Sequence, residues 1–324
     1  MESRILSTAF VVLLAPTVLG ASSAEQDSAD HGAYFVARHE ASLQSLPDSP
    51  GFRAPEGVST DPLGQVFVAD TGNHRVCLFS PAGRFVRELG GYGWDDGEFV
   101  DPTDVCARGG FRLFVVDFGN DRIQEFSISD ESPVGVVFPF RAGAGFSDEE
   151  LVRPVRMDTD AEGRLYFSDA LSHCVWVFAP TGEPVGKLGG LGEEPGRFRD
   201  PAGVAVGSDG RVFVVDRGNR RIQVFDALGN WRASWQGGEG FVDPTGIDVG
   251  ARGNVFVADA GAARVRIFTP AGVPLFSFGE RGDAPGRFLA PVDVAVAEDG
   301  RVFVVDRERE AVEVFRILTE TRAR

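Results

Sequence analysis

One short segment recurs six times at a near-constant interval, and it constrains the fold more tightly than anything else in the chain. Val66-Phe67-Val68-Ala69-Asp70 returns as Leu113-Phe114-Val115-Val116-Asp117, Leu165-Tyr166-Phe167-Ser168-Asp169 and Val212-Phe213-Val214-Val215-Asp216. It returns again as Val255-Phe256-Val257-Ala258-Asp259 and Val302-Phe303-Val304-Val305-Asp306. The closing aspartates stand 47, 52, 47, 43 and 47 residues apart. Each unit reads the same way. A proline opens a first apolar run, as in Pro201-Ala202-Gly203-Val204-Ala205-Val206, and a turn such as Ser208-Asp209-Gly210 follows. The second run ends in the aspartate, a Gly-Asn turn leads to a third run such as Arg221-Ile222-Gln223-Val224-Phe225, and a turn such as Pro270-Ala271-Gly272 leads to a fourth. A Gly-rich loop carrying a Phe returns to the next proline. A period in the forties with four short strands per unit is the pattern of a propeller blade. The chain is therefore predicted to be all-β, a six-bladed β-propeller of four-stranded antiparallel blades.

The turn after the second run sharpens this. Asp70-Thr71-Gly72-Asn73-His74-Arg75-Val76, Asp216-Arg217-Gly218-Asn219-Arg220-Arg221-Ile222 and the stretch from Asp117 to Ile123 share the pattern Asp-x-Gly-Asn-x-Arg-Ile/Val. This resembles the NHL repeat, over roughly residues 50 to 318. The copy at Asp259 lacks the Asn, that at Asp169 lacks Gly, Asn and Arg, and that at Asp306 keeps only the Asp and Val312. The resemblance implies the fold. It does not fix an activity, because propellers host unrelated functions. RNA-binding NHL domains of tripartite-motif proteins use a basic face, whereas the net charge here is −16, which argues against nucleic acid as partner. Peptidyl-amidating lyases, six-bladed relatives, hold zinc through channel histidines. This chain has 4 histidines, two of them ahead of the first unit, and no match to that site.

The ends carry two further expectations. Unit six stops near Leu318 after its third run, and its missing outer strand is available upstream at Ala33-Tyr34-Phe35-Val36-Ala37-Arg38. The N-terminal strand should therefore close the last blade, which removes an open sheet edge. Before it, Arg4, the apolar stretch from Ile5 to Leu19 and the small residues from Gly20 to Ala24 read as an export signal. The expected organisation is a signal peptide over 1–24, a segment bearing the closing strand over 25–50, the propeller over 51–318 and a tail over 319–324. The mature chain is expected to be exported, periplasmic or extracellular, monomeric and without an integral membrane span. Cys77, Cys106 and Cys174 fall at dissimilar repeat positions and read as buried thiols.

Candidate site residues follow from what the repeat does and does not explain. Asp70, Asp117, Asp169, Asp216, Asp259 and Asp306 recur in every unit, so they read as structural, forming Asx-type turns and pairing with Arg75, Arg122, Arg221 and Arg264. The turns between strands two and three share a face with the loops between blades, and that face carries nearly all the variation. Tyr92 and Trp94 lie there, with Phe138 and Phe140 of an insertion running to Asp148. These aromatics and Arg156 are the candidate ligand-binding residues. Two positions after each proline come Gly57, Asp104, Arg156, Gly203, Gly246 and Asp293, and two further on Ser59, Cys106, Asp158, Ala205, Asp248 and Ala295. These positions line the innermost strands. Asp104, Asp158, Asp248 and Asp293 are expected to ring the axis, as candidate ligands for calcium or another divalent cation or as caps on backbone amides. His74 and His173 share one repeat position, on turns of different blades. The expected function is a binding or interaction scaffold for a protein, peptide or small ligand on the variable-loop face. The alternative is a metal-dependent lyase or hydrolase with its site in the channel.

Overall fold

The computed structural model describes residues 9–10, 33–43, 50–129, 133–139 and 154–321. Most of the expected signal segment, Phe140 and the insertion through Asp148 lie outside the described residues.

The described strands form six antiparallel sheets, one per repeat. In blade one the strands are Gly57–Thr60, Val66–Asp70, Arg75–Phe79 and Phe85–Gly90, in that order from the axis outward. The first strand of each blade packs on the first strand of the next, and that of blade six packs on that of blade one, which closes the ring. The second strand explains the recurring apolar motif. All five residues of Val66–Asp70 are buried because both faces of the strand are covered. Val66 and Val68 pack toward blade six, while Phe67 and Ala69 pack toward blade two. The core is thus six separate apolar layers, one at each blade junction. Each buried Val or Phe in such a layer contributes roughly 1.5–3 kcal/mol.

The Asp-x-Gly-Asn-x-Arg pattern has a mechanical reading. Asp70 accepts the Arg53 amide of the preceding loop at 2.7 Å, and Gly72 donates back to the Arg53 carbonyl at 2.8 Å. A Cβ on Gly72 would lie 2.7 Å from that carbonyl, so the position requires glycine. Asn73 and Arg75 then bond the other Asp70 oxygen, at 2.9 and 2.7 Å. Asp117 and Asp216 make the same clamp on Val100 and Arg199. The aspartates of every blade but the third therefore do more than shape their own turn, since each of those five holds the loop that enters its blade. Two copies differ. Arg264 does not pair with Asp259. That carboxylate takes the amides of Val242 and Asp243, and Arg266 lies 4.0 Å away. Asp169, without the Gly, Asn and Arg, makes a local Asx turn to the amides of Leu171 and Ser172.

The loops between blades are anchored by their phenylalanines. Phe99, Phe198 and Phe288 are fully buried, and each packs on the last Phe of a third strand, Phe126, Phe225 or Phe315, at 5.6–5.7 Å between centroids. The chain holds 27 Phe and 3 Tyr, and buried sites of this kind favour the ring without a hydroxyl to satisfy.

Closure occurs as the sequence implies, over a longer stretch. Ala33–Leu43 pairs antiparallel with Ala311–Thr321 as the outer strand of blade six, and Ala9–Phe10 forms a two-residue bridge beyond it. The last strand thus runs past the boundary expected at Leu318. Val36, Ala37 and Leu43 are buried by this pairing. Glu313 supplies its polar lock, since its fully buried carboxylate accepts from His39 at 2.6 Å and Ser42 at 2.7 Å and also pairs with Arg309. Burial alone would raise the Glu313 pKa, but these partners outweigh it and hold the group below its ordinary value. Gln124 and Gln223 occupy the matching place in blades two and four, so the acid appears where the N-terminal strand brings a histidine to meet it.

Candidate functional site

The channel is built by the innermost strands, and their side chains obey a simple register. A side chain two positions after the proline reaches the amide of the next blade's third position. A side chain four positions after it reaches the amide of the next blade's fifth. Asp104 accepts from Met157 at 2.7 Å and Asp293 from Val58 at 2.9 Å. Asp158 accepts from Val206 and Asp248 from Val296, both at 2.7 Å, and Ser59 accepts from Ala107 at 3.1 Å. Five of the six junctions are stapled in this way. At the sixth, between blades four and five, Gly203 lets the backbones meet, and a Cβ there would stand 2.7 Å from the Thr245 carbonyl oxygen.

The four aspartates do not form one ring. They fall into two tiers along the axis, because two sit at the earlier register position and two at the later one. Each tier holds one arginine. Arg156, from blade three, crosses to the Thr103 and Glu56 carbonyls at 2.6 and 3.0 Å, lies 4.0 Å from the Glu56 carboxylate and acts through space on the charges of Asp293 and Asp104. Arg108, from blade two, bonds Asp248 and the Val206 carbonyl and lies 3.5 Å from Asp158. Burial pushes the Asp104 pKa well up and that of Asp293 to about 6, against the opposing pull of Arg156. Burial also raises Asp158, against Arg108. The open volume around the two tiers is about 40 Å³, and past Arg108 the channel widens to a mouth of about 530 Å³ lined from all six blades, by Thr60, Arg108, Thr159, Val206, Val249 and Val296.

Arg108 was absent from the candidates read in the sequence, although a signal existed. At six positions past the proline the residues are Asp61, Arg108, Asp160, Gly207, Gly250 and Ala297, so Arg108 is the one cation in that column. These donors do not fit a calcium ion, which wants six to eight oxygens. The carboxylate oxygens accept backbone amides and arginine hydrogen bonds, and among the described residues no three His, Cys, Asp or Glu side chains converge on one point. His74 and His173 are also engaged, each accepting at Nδ1 an amide of the next loop, Asp101 or Asp200, at 3.1 Å. Cys106 lies in the lower tier, 3.7 Å from Asp158, and burial pushes its pKa to about 12, so it is no thiolate nucleophile.

The variable face offers a different environment. Tyr92 and Trp94 are 60% and 68% exposed. Their rings meet edge to face at 5.2 Å, and His74 packs on Tyr92 at 5.0 Å. The loop beneath is rigid. Tyr92 bridges to Phe99, Glu98 and Asp95 close a turn through Glu98 N–H to the Asp95 carbonyl, and Gln124 holds the Gly97 amide at 2.8 Å. The same bridge carries Leu191 and Arg281 in two other loops, so the loop conformation does not require aromatics there. Arg156 is not part of this platform, being buried in the channel. Phe138 falls in the strand Pro133–Pro139, opposite Ile123, and not in the loop where it was expected.

Comparison with known proteins follows the same lines. The NHL repeat family model matches residues 52–79 and 198–225. NHL repeat-containing protein 3 of Homo sapiens is 32% identical over 193 residues, covering 55% of this chain and 54% of that protein. The Mus musculus protein of the same name is 28% identical over 191 residues, again covering 55% and 54%. The chain thus spans about half the length of these relatives. Among solved structures, a gluconolactonase from Xanthomonas campestris superposes with a TM-score of 0.63 at 15% identity, covering 88% of this chain and 90% of that one. A streptogramin B lyase gives 0.58 at 13% identity, covering 90% and 100%. At these identities the likeness is one of fold.

Proposed function

The chain is a six-bladed β-propeller of the NHL-repeat family, a fold suited to an interaction scaffold, and we propose that it binds a protein or peptide on its variable-loop face. The observation that carries this reading is the Tyr92–Trp94 platform. Two large aromatic side chains stand mostly in solvent on a loop whose fold depends on Phe99 instead. Rigid aromatics of this kind supply much of the energy in compact protein contacts. The channel supports the lyase or hydrolase reading less well, because its aspartates serve as staples and its arginines serve as their counter-charges. We take Arg108 and Arg156 to be the cations of the channel, in place of calcium.

Export belongs to the same proposal, on the strength of the apolar run from Ile5 to Leu19 followed by small residues. Cleavage after it would leave Ala33–Leu43 as the outer strand of the last blade. Sequencing the N-terminus of protein recovered from the periplasm or medium tests this directly.

The binding test is Tyr92→Ala combined with Trp94→Ala. Partners captured by the mature protein from extract should be lost from the variant, while its melting temperature stays within about 1–2 °C, since exposed substitutions usually change stability by under 0.5 kcal/mol. A variant that retains every partner would refute the platform as the recognition surface, and one whose melting collapses would show the aromatics to be structural.

A further inference from the structure

We propose that the Tyr92–Trp94 platform is a cation-recognition site that takes the guanidinium of an arginine in a basic peptide segment. This rests on the reading above and names the chemistry of its partner.

Three observations converge on it. First, both rings are open, and Trp94, the better cation–π partner, is the more exposed of the two. Second, the loop surrounds them with carboxylates. The stretch Tyr92-Gly93-Trp94-Asp95-Asp96-Gly97-Glu98-Phe99-Val100-Asp101 holds four acids and no lysine or arginine, and Asp95, Asp96 and Asp101 are exposed. Arg122, which lies 3.8 Å from Asp96, is bonded to Asp117 and to the Asp95 and Glu98 carbonyls. His74 accepts the Asp101 amide. Third, the platform breaks the repeat. Where this loop has Tyr92 and Trp94, the loop between blades three and four has Leu191 and Glu193, and the loop before blade six has Arg281 and Asp283. Aromatic faces and an acidic rim coincide in one loop, on a chain whose net charge is −16.

The physics favours guanidinium. A planar cation stacks on an indole face while its edge donates to carboxylates, so the same group meets both features of the site. The loop is held by Phe99 and by the Asp95–Glu98 turn, so little order is lost on binding. The acidic rim would speed encounter and make affinity fall with salt, while the ring contact would persist.

The test uses the full mature protein and three blocked Gly/Ser peptides, one with spaced arginines, one with citrulline in their place and one with glutamate, titrated by calorimetry. The arginine peptide should bind saturably and the other two should bind at least tenfold more weakly. Trp94→Ala should weaken the arginine peptide about three- to thirtyfold, with Trp94→Phe recovering part of the loss. Asp95→Asn with Asp96→Asn should weaken it several-fold and flatten its salt dependence. Circular dichroism and melting confirm that each variant is folded. Equal binding of the citrulline peptide, or no saturable heat from the arginine peptide at millimolar concentration, overturns the proposal. If natural partners still require Tyr92 and Trp94 in that case, only the cation chemistry fails. If they do not, the reading of the face fails with it.

Discussion

Arg108→Met is the sharpest perturbation of the channel. In the wild type the Arg108 guanidinium bonds Asp248 and lies 3.5 Å from Asp158, and all three groups come from different blades. Methionine keeps much of the side-chain length but removes the charge, leaving two buried carboxylates without their shared counter-charge. Breaking a buried ion pair on one side typically costs 3–5 kcal/mol. Arg108 is itself partly open to the mouth opposite the variable face, so the lower figure, about 3 kcal/mol, is the expectation at neutral pH. For a domain of this size that corresponds to a melting point lower by roughly 6–12 °C. The loss should be pH-dependent. Burial already raises the Asp158 pKa against the pull of Arg108, and removing that pull raises it further. A carboxyl whose folded pKa exceeds its unfolded value stabilises the fold most when protonated, so the variant should regain stability as the pH falls from 7 toward 4. The triple variant Arg108→Met, Asp158→Asn, Asp248→Asn should recover most of the loss at pH 7, because asparagine can still accept the Val206 and Val296 amides. Thermal melting of the three proteins across pH decides the matter. A single variant that melts like the wild type, or one whose deficit is the same at every pH, would falsify the two-tier account.

Three other outcomes follow from the same geometry. Deleting residues 1–45 removes the outer strand of blade six, uncovers the layers around Val36, Ala37 and Leu43 and strips His39 and Ser42 from Glu313; the loss should rival the whole folding free energy, about 5–15 kcal/mol, so a cooperative melt at the wild-type temperature would refute closure. In the upper tier, Asp293 has a folded pKa of about 6 against 3.8 unfolded, so its contribution is fully present below 3.8 and lost as the pH rises through 6; Asp293→Asn should flatten the stability profile between pH 4 and 7, as read by denaturant unfolding at each pH. Calcium added to chelator-treated protein at millimolar concentration should give neither heat nor a melting shift, because the channel's counter-charges are covalently part of the chain.

The sequence disclosed the blade because everything that makes a blade is local. The alternation of Phe67 with Val66 and Val68, the Gly72 that lets a turn touch a loop, and the Asp70 that clamps the entering strand all act within one repeat and one junction, so the period exposes them six times over. Closure was legible for the complementary reason, since a repeat lacking one strand needs a strand from elsewhere. The tiers were not legible. Arg108 reaches blades three, four and five from blade two, and no spacing along the chain records a reach across an axis. Departure from the repeat pointed to Asp104, Asp158, Asp248, Asp293, Tyr92 and Trp94 alike, and at that level it cannot separate an internal brace from a contact surface. Burial separates them. The departures that point inward are buried, hydrogen-bonded to the next blade and matched by an arginine, which is what a ring with four extra acids near its axis requires. The departures that point outward leave two aromatic faces in water, on a loop that three blades build with or without them. The first group answers a demand of the fold. The second answers none among the described residues, and on our proposal its contact is a bound partner.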